Sequence, residues 1–310
     1  MRPPSPSLSE TPMSAFVEAI NFLHMCEEED GDYNNNNNME ATTTRMEDGS
    51  SSSSSSTTAP TLISVPGEGP FFLSIAALIG AGKSTLAKTL ARLLGLQYYA
   101  EDVEGNVYLD DFYSDMAKYA FPLQMYLLHR RFRQHQEITW NSKGGVQDRT
   151  IYEDPVFAKV LLNMGMLDKR DYDTYLALFG DMSNFMKRPT VIVYLKVTPE
   201  TALERIQKRG RENEKGITIA YLRMLHEAYE AFIKDISTSI TVISVPWDVF
   251  QDDLIAAQEI VSVLQCFRNS GGSFLEVDWD NPARYRAPYH YRHHPARGES
   301  DARGESDIVQ

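Results

Sequence analysis

The sequence predicts an α/β protein built on a five-stranded parallel sheet with helices over both faces. Three observations carry this. Thr190 to Val197 reads TVIVYLKV, β-branched and apolar throughout, the composition of a strand buried on both sides. Phe71 to Ile79 is a second apolar run, and it enters a glycine turn that opens a helical stretch from Lys83 to Leu94. Strand-like and helix-like segments then alternate, and strands separated by helices are joined by crossovers that lay them parallel.

The remaining elements follow in chain order. Tyr98 to Ala100 is a short strand, Gly145 to Gln147 is placed as a strand by its context, and Thr241 to Val245 is the fifth. Helical stretches run from Leu123 to Gln136 and from Ile219 to Ile236, and Asp252 is a helix cap for a last stretch to about Phe267. These segments define one domain over residues 69–268. Residues 1–65 contain Asn34 to Asn38, Thr42 to Thr44 and Ser50 to Ser56, tracts that bury too little apolar surface to offset chain entropy, and are expected to be disordered. Within them, Met13 to Met25 has apolar residues at helical spacing. From 269 to 310 a Gly-, Pro-, Arg- and His-rich tail, also expected to be disordered, carries ARGESD twice, at Ala296 to Asp301 and Ala302 to Asp307. His290, His293 and His294 there read as solvated rather than as metal ligands.

Composition narrows the class. Of 310 residues, 42% are hydrophobic and 24% charged, as in ordinary soluble domains. A net charge of −13 excludes a sequence-independent grip on a nucleic acid polymer, so any bound anion needs a local concentration of donors. Cys26 and Cys266 stand alone, with no metal-ligand spacing, which suits a reducing compartment. No apolar run reaches the roughly 18 residues of a membrane span, and the N-terminal segment is acidic at Glu27 to Asp30, so the expected location is cytoplasmic, or nuclear.

The chemistry begins at AALIGAGKST, Ala76 to Thr85, set between a strand and a helix. A glycine turn in that setting aims backbone N–H groups at a phosphate, and the helix N-terminus adds favourable dipole charge. Gly80, Ala81 and Gly82 form the turn, with Ser84 and Thr85 opening the helix. Lys83 is expected at the β- and γ-phosphates and the Ser84 hydroxyl on Mg²⁺. This is a P-loop whose first glycine is replaced by Ala77, and it makes the fold a P-loop NTPase-type three-layer α/β/α arrangement.

Four further motifs, in order along the chain, resemble the deoxyribonucleoside kinase family, nearest its deoxyadenosine, deoxyguanosine and deoxycytidine branch. The resemblance covers roughly Phe71 to Phe267. AEDVEGN places Glu101 where the family carries the general base for the 5′-hydroxyl, with Asp102 where proline is usual. LDDFYSDMAKYAFPLQMYLLHRRF, Leu109 to Phe132, looks like the substrate segment. There the resemblance assigns Gln124 and Arg131 to the base and Tyr113 to the sugar 3′-hydroxyl, with Phe112 and Phe121 as apolar walls. Gln124 and Arg131 are seven apart, so they share one side of a helix.

QDRTIYEDP, Gln147 to Pro155, looks like the family's Asp/Glu-Arg-Ser/Thr motif. It implies Asp148 at Mg²⁺, Arg149 at the 5′-oxygen and transferring phosphoryl, and Asp154 beside the base-reading Arg131. ERIQKRGRENEKG, Glu204 to Gly216, resembles the Arg-rich lid, with Arg205, Arg209 and Arg211 over the triphosphate and Glu214 on the 3′-hydroxyl.

The implied activity is transfer of the γ-phosphoryl of ATP, or another nucleoside triphosphate, to a deoxynucleoside, a purine one before deoxycytidine. The implied partners are that substrate, Mg²⁺ and, by resemblance, a second copy of the chain in a homodimer. Two alternatives stand beside this reading. A catalytically silent subunit would fit Ala77 and Asp102, and a nucleoside monophosphate kinase would share the sheet but need extra cations for its acceptor's phosphate.

Overall fold

All seven residues of β1 (Phe71–Ala77), FFLSIAA, are buried, so this strand has apolar cover on both faces. The computed structural model describes residues 70–101, 105–249, 251–270, 274–277 and 279. The arm at 1–65 with Met13 to Met25 and Cys26, residue Asp102, the three tail histidines and the ARGESD repeats lie outside the described residues.

Around β1 the sheet runs β2 (Gln97–Tyr99), β3 (Gly144–Asp148), β1, β4 (Val191–Lys196), β5 (Val242–Pro246) and β6 (Phe274–Glu276). Every pairing is parallel. The five expected strands are present within a residue or two of their expected bounds. The sixth falls in the stretch assigned to the tail. β6 pairs with β5, Val277 after it is buried, and Trp279 Nε1 donates to the Pro246 carbonyl at 2.8 Å. Three residues are too few to display a strand period, so the sheet continues past residue 268 without a signal in the sequence.

The helices form two groups. α1 (Lys83–Leu94) packs against α8 (Asp253–Ser270). α3 (Met116–Trp140), α4 (Asp154–Asn163), α5 (Lys169–Ser183) and α7 (Ile219–Ile236) pack with one another, with α2 (Leu109–Ser114) against α3 and α6 (Pro199–Arg209) against α7. α3 is longer than its expected 123–136. It starts before Pro122, whose missing N–H reads as a helix start, because Asp115 accepts from Lys118 N at 3.2 Å and begins the helix about two turns earlier. Thr198, Thr218 and Asp252 cap α6, α7 and α8 through their side-chain oxygens.

This topology positions the site. From β1 the chain crosses through α1 to β2, on the β3 side of the sheet, whereas from β3 it crosses to β4 on the other side. The adjacent C-terminal ends of β1 and β3 therefore part company, and such a switch point leaves the crevice in which open α/β sheets bind ligands. Register places Ile75 beside Asp148, so the glycine loop and the Asp148-Arg149 pair emerge together.

At the opposite end of β1 lies a buried histidine. His135 of α3 meets Phe72 edge-on at 4.9 Å, its Nε2 lies 2.6 Å from the Lys187 carbonyl, and its Nδ1 has no hydrogen-bond partner. Burial holds the imidazole down at about 4, from 6.5, against a smaller opposing pull from that carbonyl. Below pH 6.5 the unfolded chain therefore binds a proton that the folded one resists until about pH 4, so stability falls with pH through that window. The melting temperature is expected to drop across it, and to drop less in His135→Gln, which keeps a donor for Lys187. Identical pH slopes in the two proteins would exclude His135 as the source.

Candidate active site

The loop after β1 leaves no room for a side chain at Gly80. Gly80 sits at φ 85°, and a Cβ there would lie 2.7 Å from both the Ala202 carbonyl and Ile206 Cγ1 of α6. Gly82, at φ 88°, is the N-cap of α1 and supplies no side-chain hydrogen bond, leaving the first N–H groups of that helix for a ligand. Ala77 is the last residue of β1, with its methyl inside the hydrophobic core, so the departure from glycine is absorbed by packing. The Ala81 carbonyl is held from behind by Trp247 Nε1 at 2.8 Å and by Arg205 Nη1 at 3.4 Å. Arg205 also donates to the Trp247 and Asp248 carbonyls, at 2.7 and 3.0 Å.

The loop opens onto a cavity of about 1250 Å³. Gly80 to Thr85 line it together with Gln124 and Arg131 of α3, and Glu101 and Arg149 are also in its wall. Three stretches distant in sequence thus meet at one cleft. Lys83 is buried there with Nζ 3.5 Å from the Leu78 carbonyl. Burial, and then the neighbouring Arg149, lower its pKa, against the carboxylates of Glu101, Asp148 and Glu153.

Glu101 follows β2 and is gripped by two guanidiniums. Arg131 Nη2 and Arg149 Nε both donate to Oε1 at 2.9 Å. Oε2 accepts no hydrogen bond from the described residues. Burial alone would raise the Glu101 carboxyl, but Arg149, Lys83 and Arg131 outweigh it and hold it at about 2. The second grip on Arg131 is Asp154, paired through Nη1 with Oδ1 and itself buried. Asp154 therefore stands behind Arg131 rather than in the cavity wall.

Asp148, also fully buried, accepts from Ser84 Oγ through Oδ2, to which Tyr98 Oη donates at 3.3 Å. Asp148 Oδ1 is buried without a hydrogen-bond partner. One hydroxyl and one carboxylate with a spare oxygen fit a hard cation that keeps most of its oxygen ligands from water and phosphate. Among the described residues no cluster of three or more His, Cys, Asp or Glu offers a fuller cage.

Gln124, in the same cavity wall, is buried with its Oε1 unpartnered. Phe112 lines the cavity as expected; Phe121 instead packs against the core from a position outside the lining, and Leu123, Leu127, Phe157 and Tyr221 supply apolar wall. Tyr113 and Glu214 also line it. Burial, then Tyr221, Glu214 and Glu101, push the Tyr113 phenol up, so it remains a hydrogen-bond donor at neutral pH. Glu214 is occupied by Arg209, whose Nε and Nη2 reach it at 3.1 and 2.6 Å, and by Arg211 at 3.5 Å. The three arginines thus divide: Arg205 fastens the loop, while Arg209 and Arg211 neutralise Glu214 at the cavity edge.

Sequence reasoning missed Trp247, Glu153 and Tyr229. Glu153 had a signal, the Thr150-to-Glu153 capping box, and a partner in Arg149 four residues before it. Trp247 and Tyr229 had none, since each reaches its partner across the sheet or the helical layer.

The family model described as deoxynucleoside kinase matches residues 73–267. The chain is 50% identical over 212 residues to a deoxyadenosine kinase of Dictyostelium discoideum, spanning 66% of this chain and 86% of that protein. It is 42% identical over 164 residues to a deoxyadenosine/deoxycytidine kinase of Bacillus subtilis, spanning 52% of this chain and 76% of that one. Among solved structures, a deoxyadenosine kinase from M. mycoides with bound dATP superposes with a TM-score of 0.57 at 32% identity, covering 62% of this chain and 98% of that one. With the match running from β1 into α8 through every wall of the cavity, the chain belongs to the deoxynucleoside kinase family.

Proposed function

We propose that the protein moves the γ-phosphoryl group of ATP, or another nucleoside triphosphate, onto the 5′-hydroxyl of a purine deoxynucleoside, deoxyadenosine first. The observation that carries this is the placement of Glu101 in one cavity with the glycine loop, Lys83 and Gln124, whose buried Oε1 has no hydrogen-bond partner.

The triphosphate lies along Gly80 to Thr85, with Lys83 at its β- and γ-oxygens. Ser84 and Asp148 hold Mg²⁺, which when bound offsets charge on the phosphates. Glu101 accepts the proton of the 5′-hydroxyl as that oxygen bonds to Pγ and the bridging oxygen leaves with the nucleoside diphosphate. A carboxylate held at about 2 is a weak base, and it suffices because a loose phosphoryl-transfer transition state asks little proton abstraction early. Arg149 stands beside Glu101 at the reacting oxygens. Arg209 and Arg211 swing from Glu214 to the triphosphate as a lid, and Glu214 and Tyr113 take the 3′-hydroxyl.

The base preference rests on acceptors. The free Oε1 of Gln124 matches the 6-amino group of adenine or the 4-amino group of cytosine, while its amide N–H₂ serves a ring nitrogen. The Dictyostelium and M. mycoides relatives, both named for deoxyadenosine, favour the purine. A catalytically silent subunit would have no need of Lys83, Glu101 and Arg149 around one cavity, and a monophosphate acceptor would bring its 5′-phosphate against the carboxylate of Glu101. A cytoplasmic homodimer, assembled as the family resemblance implies, completes the reading; no described helix is long and apolar enough to cross a membrane.

Glu101→Gln is expected to bind ATP with near-normal affinity and to lose about a hundredfold or more in kcat, measured by transfer of labelled γ-phosphate. Unchanged turnover would remove Glu101 from the reaction. Across the four deoxynucleosides kcat/KM should rank deoxyadenosine first and thymidine last. Gln124→Leu should cut deoxyadenosine kcat/KM by about 10- to 100-fold while leaving the KM for ATP within twofold; an equal loss for both substrates would place Gln124 outside the base pocket.

A further inference from the structure

Arg149 is held by more of the protein than a ligand-facing group requires. It is the only non-glycine residue with positive φ, 71°, among those described, a backbone conformation that L side chains adopt at a cost. Its side chain is buried and spends four donors on protein acceptors. Nε reaches Glu101, Nη2 reaches the Ala77 carbonyl at 3.2 Å, and Nη1 reaches both Glu153 Oε2 at 3.0 Å and Tyr229 Oη. The Phe157 ring lies under it, 4.8 Å from the guanidinium carbon.

Two of these partners lie off the cavity. Glu153 and Tyr229 are fully buried and neither is in its wall. Glu153 Oε1 accepts from the Thr150 N–H at 3.1 Å, which fixes the turn just after Arg149, while Oε2 accepts from Arg149 and from the Tyr229 hydroxyl. Tyr229 is in turn fixed by its own neighbours, stacked on Tyr194 at 6.2 Å and edge-on to Phe157 at 6.0 Å and Phe232 at 6.4 Å. A carboxylate and a phenol bonded to each other and to one guanidinium leave that group little rotational freedom.

From this the geometry points to Glu153 and Tyr229 as positioning residues for phosphoryl transfer: they aim Arg149, and through Arg149 they set the place of the Glu101 carboxylate. The inference rests on the reading of Glu101 as the acceptor of the hydroxyl proton. Glu101 feels Arg149 from the end of β3, Lys83 from the start of α1 and Arg131 from α3. Of these cations only Arg149 depends on the buried pair. If its guanidinium drifts, Oε1 loses one of two donors and the carboxylate one of three nearby positive charges.

Tyr229→Phe is the sharpest test, because the ring and its packing remain and one hydroxyl is lost. In the full-length protein kcat is expected to fall about 10- to 100-fold, since small misplacements of an oriented group cost that much. KM values for ATP and deoxyadenosine should stay within about twofold, and the acid limb of the kcat/KM profile should move to higher pH as Glu101 becomes easier to protonate. Glu153→Gln, which keeps an acceptor but loses the charge, should show the same pattern. Wild-type kcat and an unmoved acid limb in a folded Tyr229→Phe protein would overturn the inference, as would a lowered melting temperature with kcat per folded molecule intact. Failure of the Glu101 reading would show separately, as full turnover in Glu101→Gln.

Discussion

One buried guanidinium holds the centre of this molecule together. Arg149 leaves the end of β3, and its hydrogen bonds reach the last residue of β1, the acid after β2, the turn before α4 and the middle of α7. Burial disfavours its charge, yet Glu101, Tyr229, Glu153 and Asp148 together raise its pKa well above the ordinary value, so it remains a cation. Glu153 balances the other way: its own burial raises its pKa more than Arg149 and Tyr229 lower it. Removing one member of such a buried pair strands the other without water, at a cost of about 3–5 kcal/mol. The cluster therefore links stability of the sheet's C-terminal edge to geometry at the reacting centre.

The same economy of charge runs through the rest of the cleft. Arg131 is shared between Glu101 and Asp154, Arg209 and Arg211 are neutralised by Glu214, and Ser84 is parked on Asp148. A cavity built to receive a polyanion would otherwise hold unpaired cations in a poorly solvated space, which is expensive. Pairing them internally keeps the cleft neutral enough to fold. Arg205 is spent differently, on backbone carbonyls of the glycine loop and of the 247–248 turn, so it stiffens that loop. Stiffness there holds the N–H groups of Gly82 and its neighbours in one direction, which lowers the ordering cost of any contact they make.

Much of this was legible before folding. TVIVYLKV could only be a strand covered on both sides, and β4 occupies the sheet interior. The glycine turn before Lys83 stood out because a left-handed turn that opens a helix is a backbone requirement, and backbone requirements are written locally as Gly. Gln124 and Arg131 were recognisable as a helical pair because seven residues make nearly two turns. β6 was not legible, being three residues that strengthen only by pairing with β5. Phe121 was misassigned to the pocket, since an aromatic on a helix has the same composition whichever neighbour it packs on.

By itself, then, the sequence determined the periodicities, the glycine turn that opens α1 and the set of charged side chains available to a kinase, because each of these is encoded within a few consecutive residues. Only the tertiary structure decided which charge meets which. Arg149 with Tyr229, Trp247 with Ala81, and Arg205 with two carbonyls beyond β5 are contacts between residues 42 to 166 positions apart, or nearly so, across parallel crossovers. No local pattern specifies such pairs, since the same arginine is equally soluble on a helix face. Burial makes the choice, because a charge removed from water must find its partner within a few ångströms.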